Sequence, residues 1–257
     1  MKKKLPPLVD ESWREIIEPL LDMPEMDIIR GLLGLKDICP VNSKVFRAFS
    51  LPFDKVKVVM LGLSPYNGSI QRAEKRDGKP IFIKTRIATG IAMGSECGYV
   101  PPTLGILHEA CDIDTGNIPD GIEQFDPSLI WWHKQGVLMI NAALTVMEGE
   151  GARDHVPYWE FFIKAILEGL DEKRKNLAFI FMGLDAQKFF RSVFPMKHLV
   201  LKPCHPAATA RYRGKGAIPK AMEFSRYRIF TKTNQYLQEH NIDPINWYNE
   251  GKGNKES

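Results

Sequence analysis

Four short runs of apolar residues predict the buried strands of a parallel β-sheet. They are VVML (58–61, in a strand predicted from 56), GVLMINAAL (136–144), LAFIFMG (177–183) and HLVLKPCHP (198–206). Unbroken apolar runs suit strands covered on both faces, because a half-exposed strand alternates apolar and polar residues. Each run leads into polar or turn-forming residues. In a parallel sheet these ends share one edge, where open α/β sheets hold their ligands.

Apolar residues at helical spacing lie between and around these runs. They predict helices over 11–34 with a break near Pro24, from about 103, over 157–174 and over 221–240. Thr103 is the expected N-cap of the second helix. Alternation of strands and helices predicts an α/β fold of three layers (αβα) with a central four-stranded parallel sheet. Residues 1–257 are expected to form a single domain, with 1–36 as an N-terminal helical segment.

The composition is that of a soluble globular protein, with 257 residues of which 44% are apolar and 26% charged. No apolar run approaches the roughly 20 residues that cross a bilayer. The basic start MKKKLPPLVDESW lacks the apolar stretch of a secretory signal. The cysteines, which form no C-x-x-C pair, are Cys39, Cys97, Cys111 and Cys204. We therefore expect a reduced, cytoplasmic protein without a metal or cofactor.

Basic residues are concentrated in two segments, although the net charge is only +4. Residues 68–88 contain six lysines and arginines, and residues 202–228 contain seven. Basic clusters beside ligand-binding turns suit contacts with phosphates. Basic loops are also common as plain solvated surface, so charge alone leaves both interpretations open.

Five motifs along the chain resemble those of the family 1 uracil-DNA glycosylases. In chain order they are GLSPYN (62–67), PPTLGILHEA (101–110), WWHKQGVLMINAALTV (131–146), MGLDAQK (182–188) and HPAATARYRG (205–214). The family's first and last motifs are GQDPYH and HPSPLSAHRG. The resemblance runs from about residue 37 to residue 248. It implies a DNA glycosylase that flips out a pyrimidine and hydrolyses its N-glycosidic bond, leaving an abasic site.

The resemblance also implies roles for individual residues. His205 matches the histidine that hydrogen-bonds the pyrimidine O2, Asn141 the asparagine that recognises the O4/N3–H edge, and Tyr66 the tyrosine that excludes thymine. Three loops are expected to bind the DNA backbone, with the candidates Pro101, Pro102, Thr103, Gly183, Asp185, Thr209, Arg211 and Arg213. DNA is thus the expected partner of a protein without cofactors, and a monomer is expected.

The chain departs from the family at the positions of the chemistry. Ser64 occupies the place of the aspartate that positions water, and a hydroxyl can hold water but carries no charge. Leu63 replaces a glutamine and Asn67 the histidine that closes the first motif. Met93 replaces the phenylalanine that stacks on uracil, and Met is flexible enough to accept another base. We keep Ser64 and Asn67 with His205 as catalytic candidates, and Leu63 and Met93 as substrate contacts.

Two further roles have alternative candidates. Asp154 or Asp185 could hold the attacking water in place of the missing aspartate. Thr209 stands where the family has the leucine that wedges into the vacated base stack, and it is expected to be a weaker wedge, for which Arg211 or Tyr212 could substitute.

Residues 69–88 form a longer segment than the family has, expected as an inserted basic loop over the base pocket. Together with Leu63 and Met93 it favours a glycosylase retargeted to a modified pyrimidine. Examples are a 5-substituted or glucosylated hydroxymethyl pyrimidine of phage DNA, in antiphage defence. Tyr66 argues against a bulky C5 group unless the insertion moves it. The alternatives are a catalytically inactive DNA-binding or protein-binding module, which the losses at Ser64 and Thr209 predict, and a slow uracil-DNA glycosylase.

Overall fold

A parallel four-stranded sheet forms the centre of the computed structural model, which describes residues 4–76, 79–96, 98–116 and 126–248. Cys97 and the acidic Asp77 of the basic segment lie outside the described residues. The chain contains α1 (Arg14–Leu20), α2 (Glu25–Leu33), β1 (Ile38–Cys39), β2 (Val58–Gly62), β3 (Ser69–Arg76), β4 (Lys79–Arg86), α3 (Pro102–Thr115), α4 (Ile130–Lys134), β5 (Val137–Asn141), β6 (Val146–Met147), α5 (Val156–Lys173), β7 (Ala178–Phe181), α6 (Leu184–Gln187), β8 (Leu199–Leu201), α7 (Pro206–Tyr212) and α8 (Ile229–Glu239).

The sheet has the strand order β5-β2-β7-β8, and every neighbouring pair is parallel. Alternate residues of β2 enter two separate apolar cores: Val59 and Leu61 pack towards α1, α2 and α5, whereas Val58 and Met60 pack towards α3, α4 and α8. Burial of both faces explains why the strands are unbroken apolar runs. The predicted three-layer fold with a four-stranded parallel sheet is confirmed.

Several predicted boundaries differ from the structure. β5, β7 and β8 are shorter than their apolar runs, and β2 begins at Val58 rather than at residue 56. The last helix begins at Ile229 because 3-10 turns occupy 220–222 and 224–227. The expected break near Pro24 separates α1 from α2. Thr103 is not the N-cap of α3: Pro101 holds that position, and proline at the next residue has no amide hydrogen that needs a cap.

The expected basic loop over 69–88 is instead a β-hairpin. Strands β3 and β4 pair antiparallel over their whole length, from Ser69 opposite Arg86 to Arg76 opposite Lys79. Ile81 and Ile83 lie two residues apart in β4, and the register places Ile70 of β3 on the same face of the hairpin, since successive residues of a strand point to opposite faces.

Among the residues that the structure describes, no helix is long and apolar enough to cross a bilayer.

A buried polar contact joins the segment after β5 to α5. The fully buried Thr145 hydroxyl accepts a hydrogen bond from Trp159 Nε1 (2.8 Å) and lies 2.9 Å from His155 Nδ1. This contact holds the residues that follow Asn141 against the helical layer.

Thr145→Val is expected to lower the free energy of unfolding by about 1–3 kcal/mol, because a methyl of similar shape leaves the Trp159 N–H buried without an acceptor. Urea unfolding measures the change. Ser43→Ala, at an exposed position, is the control and should stay within about 0.5 kcal/mol of the unmodified protein. An equally small effect of Thr145→Val would contradict the assigned role.

Candidate active site

The carboxyl ends of the strands are held together by backbone hydrogen bonds that continue beyond the strands themselves. The amides of Ala142, Ala143, Met182 and Gly183 donate to the carbonyls of Gly62, Leu63, Leu61 and Pro203, at 3.0, 3.0, 2.9 and 2.9 Å. The four turns predicted to share one edge therefore lie side by side. This edge carries the residues singled out by the motifs.

Asn141 is the last residue of β5, and its register partner on β2 is Gly62. A Cβ at Gly62 would lie 2.5 Å from Asn141 Oδ1, so glycine is needed at that position to leave room for the amide. Only 6% of Asn141 is exposed. Within the described part of the chain the Asn141 side chain has no hydrogen-bond partner. It can therefore offer a ligand one acceptor and two donors.

His205 lies just before α7, four residues after the end of β8. Its Nδ1 accepts a hydrogen bond from the Ala207 amide at 3.1 Å. Burial lowers the His205 pKa to about 4, with Asp185 opposing the shift. The ring is therefore neutral near pH 7, and because Nδ1 is the acceptor, its one hydrogen lies on Nε2. His205 thus presents an N–H donor that carries no charge.

Gly183 makes room for this histidine. It has a φ of +85°, and a Cβ there would lie 2.8 Å from the His205 Cβ. Any other residue would strain the backbone and displace the ring.

A small cavity lies beside Asn141, walled by Pro65, Tyr66, Met93 and Gly94. The Tyr66 hydroxyl lies 3.1 Å from the Met93 carbonyl and 3.0 Å from Thr103 Oγ1. Its ring packs against Cys39, Ala88 and Val146. Burial raises the Tyr66 pKa, so the hydroxyl stays neutral. Tyr66 is therefore a fixed wall of this cavity.

The structure thus brings three predicted substrate contacts, Tyr66, Met93 and Asn141, to one cavity. Leu63, the fourth, lies in the same turn but does not line it. Leu144 and Val45 also line the cavity, but the motifs did not indicate them as substrate contacts. Nothing but their apolar character distinguishes them in the sequence.

The other catalytic candidates, Ser64 and Asn67, lie in the turn after β2. Both are half-buried. Among the described residues, the Ser64 hydroxyl makes only a long contact of 3.4 Å with the Pro65 carbonyl, so it is open to a water molecule. The Asn67 amide donates to the Glu150 carbonyl at 2.7 Å, which turns its donor towards the loop after β6.

The carboxylates considered as substitutes for the missing aspartate are both engaged. Asp154 accepts the Gly151 amide at 3.1 Å. Asp185 forms ion pairs with Arg153 (2.7 Å) and Lys188 (2.8 Å), which, against the effect of burial, lower its pKa. Because both carboxylates already bind protein groups, neither is free to hold the attacking water.

The predicted backbone-binding residues divide by exposure. Pro101 is buried and Pro102 exposed at the start of α3, while the Thr103 hydroxyl lies against Tyr66. Arg211 is exposed, and Arg213 is exposed but paired with Glu109. Leu184, which lies in the loop of Gly183 and Asp185 that was expected to bind the backbone, is 79% exposed.

Thr209 does not project from the surface as a plug for the vacated base stack. Only 7% of it is exposed. Its hydroxyl donates to the Met222 carbonyl at 2.6 Å and accepts the Phe224 amide at 2.9 Å. The expectation that Thr209 acts as a weak wedge is thus incompatible with this conformation. Tyr212, proposed as a substitute, is 37% exposed.

No group of three or more His, Cys, Asp or Glu side chains in the described ranges could hold a metal ion. The arrangement offers neutral donors and an amide edge to a planar ligand, which suits recognition of a nucleobase. A donor at His205 Nε2 can also stabilise negative charge as it develops on a ligand oxygen.

The chain matches no protein-family model. It is 33% identical over 246 residues to a protein named uracil-DNA glycosylase from Acinetobacter baumannii, an alignment that covers 93% of this chain and 92% of the relative. With the uracil-DNA glycosylase of Porphyromonas gingivalis the identity is 31%, over 93% and 98% of the two chains. The crystal structure of mimivirus uracil-DNA glycosylase has a similar fold, with a TM-score of 0.75 and 24% identity, over 93% and 87% of the two chains.

The His205 ring is expected to remain neutral, with its hydrogen on Nε2, at every pH above about 5, because its pKa is about 4. NMR titration of ¹⁵N-labelled protein measures both the ionisation and the tautomer, and His205→Asn assigns the signal. In urea the same histidine should titrate near 6.5, the ordinary value. A folded-state titration near 6.5, or a hydrogen on Nδ1, would contradict the assignment.

Proposed function

Because the chain belongs to the uracil-DNA glycosylase family, we propose that it is a DNA glycosylase that excises a modified pyrimidine in preference to plain uracil. The proposal rests on the residues found at the carboxyl edge of the sheet. There the unpartnered Asn141 amide, the Nε2–H of His205 and the Tyr66 wall are retained, while Leu63, Ser64 and Met93 are altered.

The retained groups account for the reaction. When the glycosidic bond breaks, its electron pair stays with the base, and the resulting negative charge spreads to the pyrimidine O2. The His205 N–H is suited to stabilise that oxygen, since it is a preorganised donor in a desolvated position. Water then adds to C1′ of the cationic sugar and releases a proton, which leaves an abasic site and the free base.

Ser64 is the reason to propose a base other than uracil. Its hydroxyl can orient the water but cannot stabilise the cationic sugar as a carboxylate does. A pyrimidine with an electron-withdrawing C5 substituent leaves more easily and needs less such help. The altered Leu63 and the flexible Met93 fit a base of another shape.

Tyr66 limits what that substituent can be. The Tyr66 hydroxyl contacts the Met93 carbonyl and Thr103, and its ring packs against Ala88. A small C5 group is thus the simplest fit. A glucosylated hydroxymethyl pyrimidine of phage DNA requires Tyr66 to rotate and lose two hydrogen bonds, at a cost of about 1–3 kcal/mol. Defence against phage is the setting that such a substrate suggests.

The second candidate is a module that binds DNA or protein without cleavage. The uncharged Ser64 and the buried Thr209 favour it, because both remove parts of the family's machinery. A slow uracil-DNA glycosylase, with water held by Ser64 alone, lies between the two.

An abasic-site assay decides among these functions. The protein is incubated with duplex and single-stranded DNA that carries uracil, 5-hydroxymethyluracil or glucosylated phage pyrimidines, and strand breaks are measured after alkali. We expect more strand breaks in DNA that carries a modified pyrimidine than in DNA that carries uracil. His205→Ala should lower the rate of excision by about 10²–10³-fold. Breaks with uracil alone would establish the slow uracil enzyme. DNA binding without breaks on any substrate would establish the inactive module.

Ser64→Asp is expected to raise the rate of uracil excision by about 10- to 1,000-fold, since it restores a negative charge beside the cationic sugar. Ser64→Asn, of similar size but uncharged, is the control and should give no increase. Single-turnover rates on a uracil duplex measure both. An unchanged rate with Ser64→Asp would mean that the loss of activity on uracil has another origin.

A further inference from the structure

The β3–β4 hairpin grows directly out of the turn that follows β2. Gly68 ends that turn and Ser69 begins β3. Directly after β4, the Ile87 amide donates a hydrogen bond to the Gly68 carbonyl at 3.0 Å and closes the base of the hairpin. The hairpin therefore starts beside Tyr66 and Asn67, at the edge that carries the candidate site.

Two carboxylates fasten the base of the hairpin: Asp37 lies 3.3 Å from the Arg86 guanidinium, and Glu148 makes most of the contacts. Glu148 accepts hydrogen bonds from Ser69 Oγ (2.6 Å) and Lys84 Nζ (2.8 Å) and pairs with Arg86. Hydrogen bonds from Lys84, Ser69 and Arg86 lower the Glu148 pKa to about 2, so it is ionised throughout the physiological range. The next amide, of Gly149, donates to the Asn67 carbonyl at 2.8 Å. The hairpin base is thus held in a fixed position relative to the site.

The outer part of the hairpin covers nothing in the described chain. Phe82 is 73% exposed and Ile83 is 38% exposed. The register places Phe82 opposite Ala73 and Pro80 opposite Lys75, on the same face as Lys84. An isolated two-stranded ribbon is at best marginally stable in water, so an outer half without packing partners indicates a surface that something else covers.

Charge indicates what that partner is. Lys75 and Lys79 are exposed, and neither forms an ion pair with any described residue. Glu74 is the one acidic residue in the described outer part of the hairpin. The register places Lys75 on the face of the exposed Phe82 and Lys79 on the opposite face of the ribbon. A lysine on each face suits a groove with a phosphate backbone on both sides, whereas an acidic or purely apolar surface would suit other partners.

We propose that the outer half of the β3–β4 hairpin binds the DNA duplex that flanks the flipped nucleotide. In this arrangement Lys75 and Lys79 contact phosphates and Phe82 makes an apolar contact in the groove. A two-stranded ribbon has the width to enter the major groove. Eight residues per strand extend about 26 Å, or seven to eight base pairs of duplex, from the site. The inference rests on the proposed DNA-directed function, since it names the part of the chain that grips the flanking DNA.

Binding to an undamaged 24-base-pair duplex, measured by fluorescence anisotropy against salt concentration, tests this proposal. The double variant Lys75→Gln/Lys79→Gln should reduce the slope of log K against log salt by about 1.8, or roughly 30-fold in affinity at 0.15 M salt. Phe82→Ala should weaken binding about tenfold with an unchanged slope, as expected for an uncharged contact. Thermal melting checks that each variant folds.

Lys55→Gln/Lys134→Gln is the matched control. It removes the same charge from residues that precede β2 and β5, at the opposite edge of the sheet, and should leave the slope unchanged. If the hairpin double variant behaves like this control, the proposal is overturned, and a protein partner becomes the explanation for the exposed Phe82. Because the duplex contains no excisable base, an absence of glycosylase activity would not alter this result.

Discussion

The register of β2 against β5 is the constraint on which the site depends. It sets Gly62 opposite Asn141, and the missing side chain of that glycine leaves the space that the Asn141 amide occupies. A slip by one residue would turn every side chain of the strand to the other face and exchange the two apolar cores. The register is therefore secured by burial on both sides of the sheet. The position of the amide follows from the packing of residues that have no chemical role.

The site created in this way works with groups that burial keeps neutral. Desolvation lowers the pKa of His205 and raises that of Tyr66, so both remain uncharged hydrogen-bond donors near pH 7. Asp185, the carboxylate near His205, is shared between Arg153 and Lys188. In the proposed reaction, the described groups thus favour the anionic base that leaves and do little for the cationic sugar. This imbalance is the physical consequence of Ser64.

The sequence predicted the sheet well because both cores impose unbroken apolar runs on its strands. It failed where a side chain's partner lies far along the chain. The motif places Thr209 at the wedge position, but its contacts with Met222 and Phe224 depend on the 3-10 turns before α8. Thr103 was likewise expected to cap a helix, whereas its hydroxyl lies at Tyr66. The hairpin was missed because β3 has a single isoleucine, Phe82 interrupts the alternation of Ile81 and Ile83, and the many basic residues give the segment the composition of a loop.

The structure separates the hairpin of the inserted segment from the cavity beside Asn141. The inserted residues 69–88 were expected over the base pocket, and of these Ala88, which follows β4, packs against Tyr66 and lines the cavity beside Asn141. The hairpin is instead fastened by Glu148, outside the cavity beside Asn141. In the proposed function, recognition of the base therefore changes through residues of the cavity and its turn, such as Met93 and Leu63. The hairpin can alter how DNA is held without altering which base is accepted, because no described residue of β3 or β4 lines that cavity.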